Sequence, residues 1–214
     1  AALENLLGDR ISDGLVIVKY GHDLPEGQRT RHIRIKEGGH PVPDEAGAAA
    51  AGEIVDMARD SREDDLVLCT FTGGASALTP ALHPEIPLAD MQRLTCMLLE
   101  CGATIHEINT LRKHLSRFSG GSLVRAAFPA TVLGLIVSDV VGDDLDVIAS
   151  GPTVPDPSTF ADCLRVVEHW TACAGKCRNR SGHISKEGSK AAPRKRRRRT
   201  NRLSGASATC SWPR

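Results

Sequence analysis

Residues 65–78 read DLVLCTFTGGASAL and join a run of apolar residues directly to a pair of glycines. The run from Asp65 to Thr72 is short and largely apolar, which predicts a buried β-strand. It leads into Gly73, Gly74 and Ser76, where backbone N–H groups can approach a phosphate or carboxylate closely and the serine can add its hydroxyl. The loop matches neither the Walker A pattern nor GxGxxG, and a tight structural turn accounts for it equally well.

Other short apolar runs predict further strands, and the segments between them have helical periodicity or helix-capping signals. Strands that alternate with helices predict an α/β domain with a mostly parallel sheet. The predicted strands cover residues 14–20, 32–36, 65–72 and 131–137, and the predicted helices cover 44–59, 88–100, a segment opened by Thr104, 119–128 and 157–169.

Three polar motifs follow predicted strands. GHPVPD (39–44) follows the second strand, TGGASA (72–77) the third and SDVVGDD (138–144) the fourth. In open α/β sheets, ligands bind beyond the carboxyl ends of the strands. We therefore expect the three motifs to meet at one edge of the sheet.

The acidic stretch SDVVGDDLDVIASGPTVPDPSTF (138–160) follows the predicted fourth strand. Asp139 ends the strand, Asp143 and Asp144 follow a glycine, and a second turn carries the hydroxyls of Ser150 and Thr153. Aspartates beside an anion-binding loop suit a site for magnesium and a nucleotide. Asp143 and Asp144 are equally well explained as turn formers and helix caps.

The segment NTLRKHLS (109–116) lies in a predicted helix. Asn109 and Lys113, four residues apart, share a face of that helix and Arg112 flanks it. This pattern is typical of a solvated basic face, but the helix stands between the glycine loop and a second glycine pair. His114 is expected to pack or to form a hydrogen bond, because no second His or Cys stands nearby at metal-ligand spacing.

The net charge of +1 averages two unlike parts of the chain. Residues 1–170 hold 14 Lys and Arg against 25 Asp and Glu, whereas residues 171–214 hold 13 against one. No apolar run approaches the roughly 18 residues of a membrane span, and no signal-peptide pattern begins the chain. We expect a cytoplasmic protein with reduced, buried thiols at Cys69, Cys96, Cys101 and Cys163.

The segment 171–214 has no apolar periodicity and is biased toward Ser, Gly and Arg, which predicts disorder. Its KRRRR run is also compatible with nucleic-acid binding or with a nuclear signal. Its Cys and His residues have spacings too irregular to favour a zinc site. The residues of that weak zinc candidate are Cys173, Cys177, His183 and Cys210.

Four blocks of the chain, in order, resemble the glycerate 2-kinase family, which also carries the older name hydroxypyruvate reductase. They are GGHPVPDEAG, TGGASAL, GATIHEINTLRKHLSRFSGG and SDVVGDDLDVIASGPTVPDPSTFAD, and the resemblance covers about residues 10–168. It implies a Rossmann-like layered α/β domain and an ATP-dependent, Mg²⁺-requiring kinase that converts D-glycerate to 2-phosphoglycerate. The resemblance implies glycerate and ATP as partners and no association with a membrane. It leaves the oligomeric state open.

The resemblance also implies roles for individual residues. Phosphoryl transfer depends mostly on positioning and on charge neutralisation. The resemblance implies catalytic roles for Lys113, Arg112 and Asp139. It implies that Mg²⁺ is bound by Asp139, Asp143 and Asp144. It implies that substrate or nucleotide phosphates are bound by Gly73, Gly74, Ser76, Asn109, Ser150 and Thr153.

The chain also departs from the family pattern. Family members are about twice as long, often carry a C-terminal MOFRL domain, and have an early GKA-like segment that would precede Ala1. Ala75 stands where most relatives have glycine. We therefore expect residues 1–170 to be part of a kinase N-terminal domain, a fragment whose own activity stays open. Because the resemblance to the family stops abruptly near His169, out-of-frame translation is the favoured explanation of residues 171–214.

Two other functions compete with the kinase. The older family name implies an NAD(P)H-dependent hydroxypyruvate reductase, but no GxGxxG followed about 20 residues later by an acidic residue is present. The basic tail alone would imply a nucleic-acid binder, which the resemblance does not favour.

Overall fold

The structure, a computed structural model, describes residues 1–172. The predictions made for the basic tail and for a zinc site at Cys173, Cys177, His183 and Cys210 lie outside the described residues. Among the helices of residues 1–172, none is long and apolar enough to cross a membrane.

All four predicted strands are present. The strands are β1 (Gly14–Lys19), β2 (Ile33–Gly38), β3 (Leu66–Phe71) and β4 (Thr131–Ile136). The α-helices are α1 (Ala2–Leu7), α2 (Glu45–Arg59), α3 (Ala75–Leu78), α4 (Leu88–Cys101), α5 (Ile105–Leu115), α6 (Ser122–Ala127) and α7 (160–172). Two 3₁₀ turns occupy Gly8–Arg10 and Ile148–Ser150. The predicted alternation is incomplete, because β1 and β2 follow one another without a helix and four α-helices separate β3 from β4.

The strands pair in parallel, which confirms the predicted α/β class. β1 pairs with β2, with Gly14 opposite Ile33, and β3 pairs with β4, with Leu66 opposite Thr131. Among residues 1–172 the two pairs form separate two-stranded sheets. This division depends on pairing between distant segments, which apolar periodicity does not report.

Helix α2 packs on β1 and β2. Asp44 caps the helix, because its carboxylate accepts a hydrogen bond of 2.8 Å from the Gly47 N–H. A Cβ atom added to Gly38 in β2 would lie 3.2 Å from the Gly47 Cα atom. Small residues at both positions therefore let the helix lie close to the sheet, and Val55, further along α2, is fully buried.

Two apolar clusters form the interior. The larger one gathers residues of α2, β3 and α6 with the turn before residue 151, and the smaller one gathers α4, α5 and α7. The buried members of the larger cluster are Ala51, Val55, Ala58, Cys69, Phe71, Ala81, Phe118, Leu123, Ala127, Ile148 and Ala149. Those of the smaller cluster are Leu98, Ile108, Leu111 and Cys163.

Side-chain caps fix the starts of α5 and α7. The predicted capping box of α5 is confirmed, with reciprocal hydrogen bonds between Thr104 and Glu107. The last helix begins at residue 160 rather than at the predicted 157. The reason is that the Asp162 carboxylate accepts from the Thr159 N–H at 2.7 Å, while the Asp162 N–H donates to the Thr159 hydroxyl at 3.3 Å.

The cysteines lie in apolar segments, as predicted. Cys69 and Cys163 carry buried thiols, whereas Cys96 and Cys101 are half-buried. Burial raises the pKa of the Cys69 thiol to about 11, and burial together with nearby Asp156 and Asp162 raises the pKa of Cys163. These two thiols are therefore protonated at neutral pH.

Candidate active site at the carboxyl ends of the strands

Gly73 and Gly74 follow β3 and lie between side chains from two other segments. A Cβ atom added to Gly73 would lie 1.8 Å from Asp139 Oδ2, and one added to Gly74 would lie 2.7 Å from His40 Nε2. Both separations are shorter than any real Cβ contact. Gly74 also has a φ of 85°, in the left-handed region that favours glycine. A side chain at position 74 would therefore be strained, and one at position 73 would have to displace the exposed Asp139 carboxylate.

These contacts confirm that the three predicted motifs meet. His40 comes from the segment after β2, the glycine pair follows β3, and Asp139 follows β4. β3 and β4 are parallel neighbours, so the segments that follow them are brought together. β2 belongs to the other sheet, and the segment after it reaches the glycine pair through the contact of His40 with Gly74. The glycine pair is the centre of the arrangement, with a histidine on one side and a carboxylate on the other.

A cavity of about 340 Å³ opens beside Gly73. Polar side chains from the ends of β1 and β2 line it together with apolar side chains from β1 and α3. Sequence analysis did not single out its basic members as site residues, although both histidines stand just after a strand. The lining residues are Ile17, Val18, Lys19, His22, His40, Thr72, Gly73 and Leu78.

Ser76, Ser150 and Asn109, which were predicted to bind phosphate, hydrogen-bond to one another. The hydroxyl oxygens of Ser76 and Ser150 are 2.8 Å apart, and the Ser150 hydroxyl donates to Asn109 Oδ1 at 2.9 Å. Because the Ser150 proton is used in that bond, the Ser76 hydroxyl donates to Ser150. Ser150 is fully buried and Asn109 is 3% exposed. This serine–asparagine network joins α3 to α5 through the turn that contains Ser150.

The turn itself has an unusual backbone. Ala149, Ser150 and Gly151 have φ values of 55°, 60° and 61°, so three successive residues are left-handed. Gly120 N–H donates to the Ser150 carbonyl at 3.0 Å, and Gly121 N–H donates to the Gly151 carbonyl at 2.8 Å. Non-glycine residues in this conformation are strained, and such strain concentrates at functional sites.

Lys113 lies in a buried ion-pair cluster. Its Nζ atom is 2.9 Å from Asp146 Oδ2 and 3.5 Å from Asp156 Oδ1, and its side chain is 4% exposed. His114 Nδ1 lies 3.4 Å from Asp156 Oδ2, which confirms the packing and hydrogen-bonding role expected for His114. The catalytic role of Lys113 stays a prediction.

Arg112 forms no hydrogen bond or ion pair with any residue of the described part of the chain. Its Nε atom is buried, and burial lowers the pKa of the guanidinium. The Arg112 side chain as a whole is half-buried, and leaving such a cation without a partner has a cost, because the charge loses part of its hydration. An anion from outside residues 1–172 would give the Arg112 guanidinium a partner.

The three predicted metal ligands occupy different surroundings. Asp139 is exposed and lies against Gly73. Asp143 has a φ of 55°, and the Asp144 carbonyl accepts from the Val147 N–H at 2.9 Å, so both residues form the turn after β4. Within residues 1–172, no three His, Cys, Asp or Glu side chains form a group that could hold a metal ion. The metal-binding role of these aspartates stays a prediction.

Thr153 and Ala75 complete the set of residues singled out by sequence. Thr153 lies beside the middle of β4, since a Cβ atom added to Gly134 would be 3.4 Å from its hydroxyl oxygen. Ala75 is the first residue of α3 and packs against the larger apolar cluster. It is not among the residues with positive φ, so an alanine fits where relatives were expected to have glycine.

The chain is similar to proteins named as glycerate kinases. A glycerate 2-kinase of Pyrococcus horikoshii is 44% identical over 78% of the chain, and a protein of Agrobacterium vitis named as a hydroxypyruvate reductase is 44% identical over 79%. The crystal structure of a glycerate kinase from Thermotoga maritima superposes with a TM-score of 0.75 at 43% identity over 79% of the chain.

The chain spans 36% of the Pyrococcus protein, 38% of the Agrobacterium protein and 40% of the Thermotoga chain. The family described as Domain of unknown function (DUF4147) matches residues 1–179. The chain therefore belongs to the DUF4147 family and is a homologue of the glycerate 2-kinases.

Proposed function

We propose that this chain forms part of a glycerate 2-kinase, which transfers the terminal phosphoryl group of ATP to D-glycerate and yields 2-phosphoglycerate. The observation that carries the proposal is the contact between Gly73 and Asp139, which brings a glycine loop and a carboxylate together at the carboxyl ends of β3 and β4. Relatives that share 44% identity and bear the kinase name support it.

The glycine loop would bind phosphate oxygens. Gly73 and Gly74 carry no side chain of their own between the backbone and a ligand, so a phosphate could approach their N–H groups closely. The Ser76 hydroxyl, which is held by Ser150, would add a further polar contact. Because Ser150 and Asn109 are buried, their proposed role is to fix Ser76 and the loop rather than to touch phosphate themselves.

Asp139 would accept the proton of the substrate hydroxyl or bind the metal. Magnesium is usually held by one or two carboxylates, with waters and substrate phosphates as the other ligands. An exposed carboxylate beside a phosphate-binding loop fits that donor set without a larger cluster. When bound, Mg²⁺ would neutralise phosphate charge; Asp143 and Asp144, in the following turn, are the further proposed ligands.

Two basic residues of α5 would have different tasks. Arg112 lacks an anionic partner within residues 1–172, so its guanidinium is the better candidate for neutralising transferred charge. Lys113 is already paired with Asp146 and Asp156, so it would contribute by stabilising the turn that these aspartates border.

The hydroxypyruvate reductase name of one relative makes NAD(P)H-dependent reduction the second candidate. The glycines at the end of β3 are adjacent and no GxGxxG is present, so the loop lacks the usual dinucleotide-binding pattern. We favour the kinase for that reason. A cytoplasmic location is also proposed, and the thiols of Cys69 and Cys163 support a reducing compartment.

A pair of enzyme assays separates the two functions. The protein is incubated with Mg²⁺, ATP and D-glycerate while ADP release is followed, and in parallel with NADH and hydroxypyruvate while NADH oxidation is followed. The proposal predicts ADP release that requires D-glycerate. Oxidation of NADH that requires hydroxypyruvate, or a protein that neither releases ADP nor binds D-glycerate, contradicts it.

A further inference from the structure

The cavity beside Gly73 carries a basic wall that the family comparison does not assign. Lys19 ends β1, His22 lies in the turn that follows, and His40 reaches the cavity from the segment after β2. All three side chains are exposed, so they are open to a ligand from solvent. Their convergence on one cavity is a feature of the fold, because His40 lies 18 positions after His22 in the sequence.

Within residues 1–172, the basic side chains of this wall have no acidic partner in an ion pair. Lys19, His22 and His40 form no ion pair with any residue in 1–172. Two acidic side chains of these segments accept hydrogen bonds from other groups. Glu37 accepts a hydrogen bond of 2.7 Å from the Gly21 N–H, and Asp44 accepts one of 2.7 Å from the Tyr20 hydroxyl.

Two contacts orient the histidines. His22 Nδ1 donates to the Tyr20 carbonyl at 3.1 Å, which fixes the plane of its ring. His40 lies against Gly74, where a Cβ atom would be 2.7 Å from Nε2. The glycine therefore lets the imidazole approach the loop, and any side chain at position 74 would displace it.

The size and the remaining lining indicate the kind of anion. About 340 Å³ lies at the lower end of the range of roughly 300–1,000 Å³ that is usual for small-molecule sites. Ile17, Val18 and Leu78 give the cavity an apolar side. A short carbon chain with one carboxylate matches this combination better than a nucleotide, which is larger and carries several charges.

We propose that Lys19, His22 and His40 bind the carboxylate of the small hydroxy acid that serves as substrate. In this arrangement the hydroxyl of the acid faces Gly73 and Asp139, and the nucleotide approaches from outside the cavity. The assignment rests on the proposed kinase function for the identity of the acid. The carboxylate subsite itself rests on the cavity and its basic wall.

Binding tests the subsite without catalysis. Histidine-ring ¹H–¹⁵N spectra of the full 214-residue protein are recorded while D-glycerate is added, and again with inorganic phosphate. We expect the ring signals of His22 and His40 to shift saturably with D-glycerate, while the signal of His106, an exposed histidine outside the cavity, stays in place. Absent shifts, or phosphate binding at least as tight as D-glycerate, overturn the proposal.

Variants separate this proposal from the kinase assignment. His40→Ala and Lys19→Met are each expected to weaken D-glycerate binding at least tenfold and to leave the KM for ATP within twofold, whereas the control His106→Ala changes neither. If the protein binds D-glycerate at His40 but oxidises NADH with hydroxypyruvate and releases no ADP, the subsite is supported and the kinase function is contradicted. If the original protein releases ADP and the His40→Ala variant binds D-glycerate normally, the subsite is contradicted and the kinase function stands.

Discussion

At the scale of single residues, the site depends on two positions without a side chain. Asp139 and His40 press against Gly73 and Gly74 from different segments, and each would occupy the space of a Cβ atom. A methyl group at position 73 would force the carboxylate of Asp139 away from the loop. The geometry of the site is therefore sensitive to the smallest possible change of side chain.

Gly73→Ala tests this sensitivity. Because displacing a reacting group by about 1 Å can reduce a rate about 100-fold, we expect a loss of that order in glycerate-dependent ADP release. The matched control is Gly52→Ala in the interior of α2, where an added Cβ atom meets nothing within 4 Å. The control should keep its activity and gain about 0.5–1 kcal/mol in free energy of unfolding. A rate for Gly73→Ala within twofold of the original protein contradicts the account.

Sequence patterns predicted that three motifs meet better than they predicted what the individual side chains touch. The contact between the glycine pair and Asp139 was predictable, because β3 and β4 are parallel neighbours that end at one edge. The approach of His40 from the other sheet depends on packing between the two sheets. The burial of Ser150 and Asn109 was not predictable. A sequence motif does not show whether a hydroxyl or an amide faces a ligand or another side chain. His40 was missed because a single histidine carries no spacing signal.

At the scale of elements, α5 joins the two apolar clusters. Ile108 and Leu111 pack in the smaller cluster, while Asn109 and Lys113 extend toward the turn whose Ile148 belongs to the larger one. The capped start of this helix was predictable from Thr104 and Glu107. Its second, polar contact surface was not, because the residues that satisfy it lie more than 30 positions away.

Lys113→Met tests the connection. The substitution leaves Asp146 and Asp156 without their buried cation, and breaking such a pair usually costs about 3–5 kcal/mol. We expect about 3 kcal/mol, because Asp146 is 34% exposed and water screens part of the effect. Urea denaturation measures the free energy of unfolding.

The matched control is Lys36→Met, which removes an exposed ion pair with Glu53 and should change the free energy of unfolding much less. Equal losses for Lys113→Met and Lys36→Met would show that the buried cluster has no special role.

At the scale of the whole molecule, residues 1–172 place the glycine loop, Asp139 and the basic cavity at one edge of an α/β domain. The chain spans only 36–40% of the length of the relatives compared here. Ligand binding to the residues that are present is therefore a more direct test of the account than turnover.

Hydrogen–deuterium exchange of the full 214-residue protein, with and without Mg²⁺, ADP and D-glycerate, makes this test, because these ligands form no product. The account predicts slower exchange of backbone amides in 72–78 and 137–142, and unchanged exchange in α7, which lies away from the cavity lining. Unchanged exchange in 72–78 when calorimetry shows the ligands bound, or slowing confined to other segments, would contradict the claim that this edge is the active site.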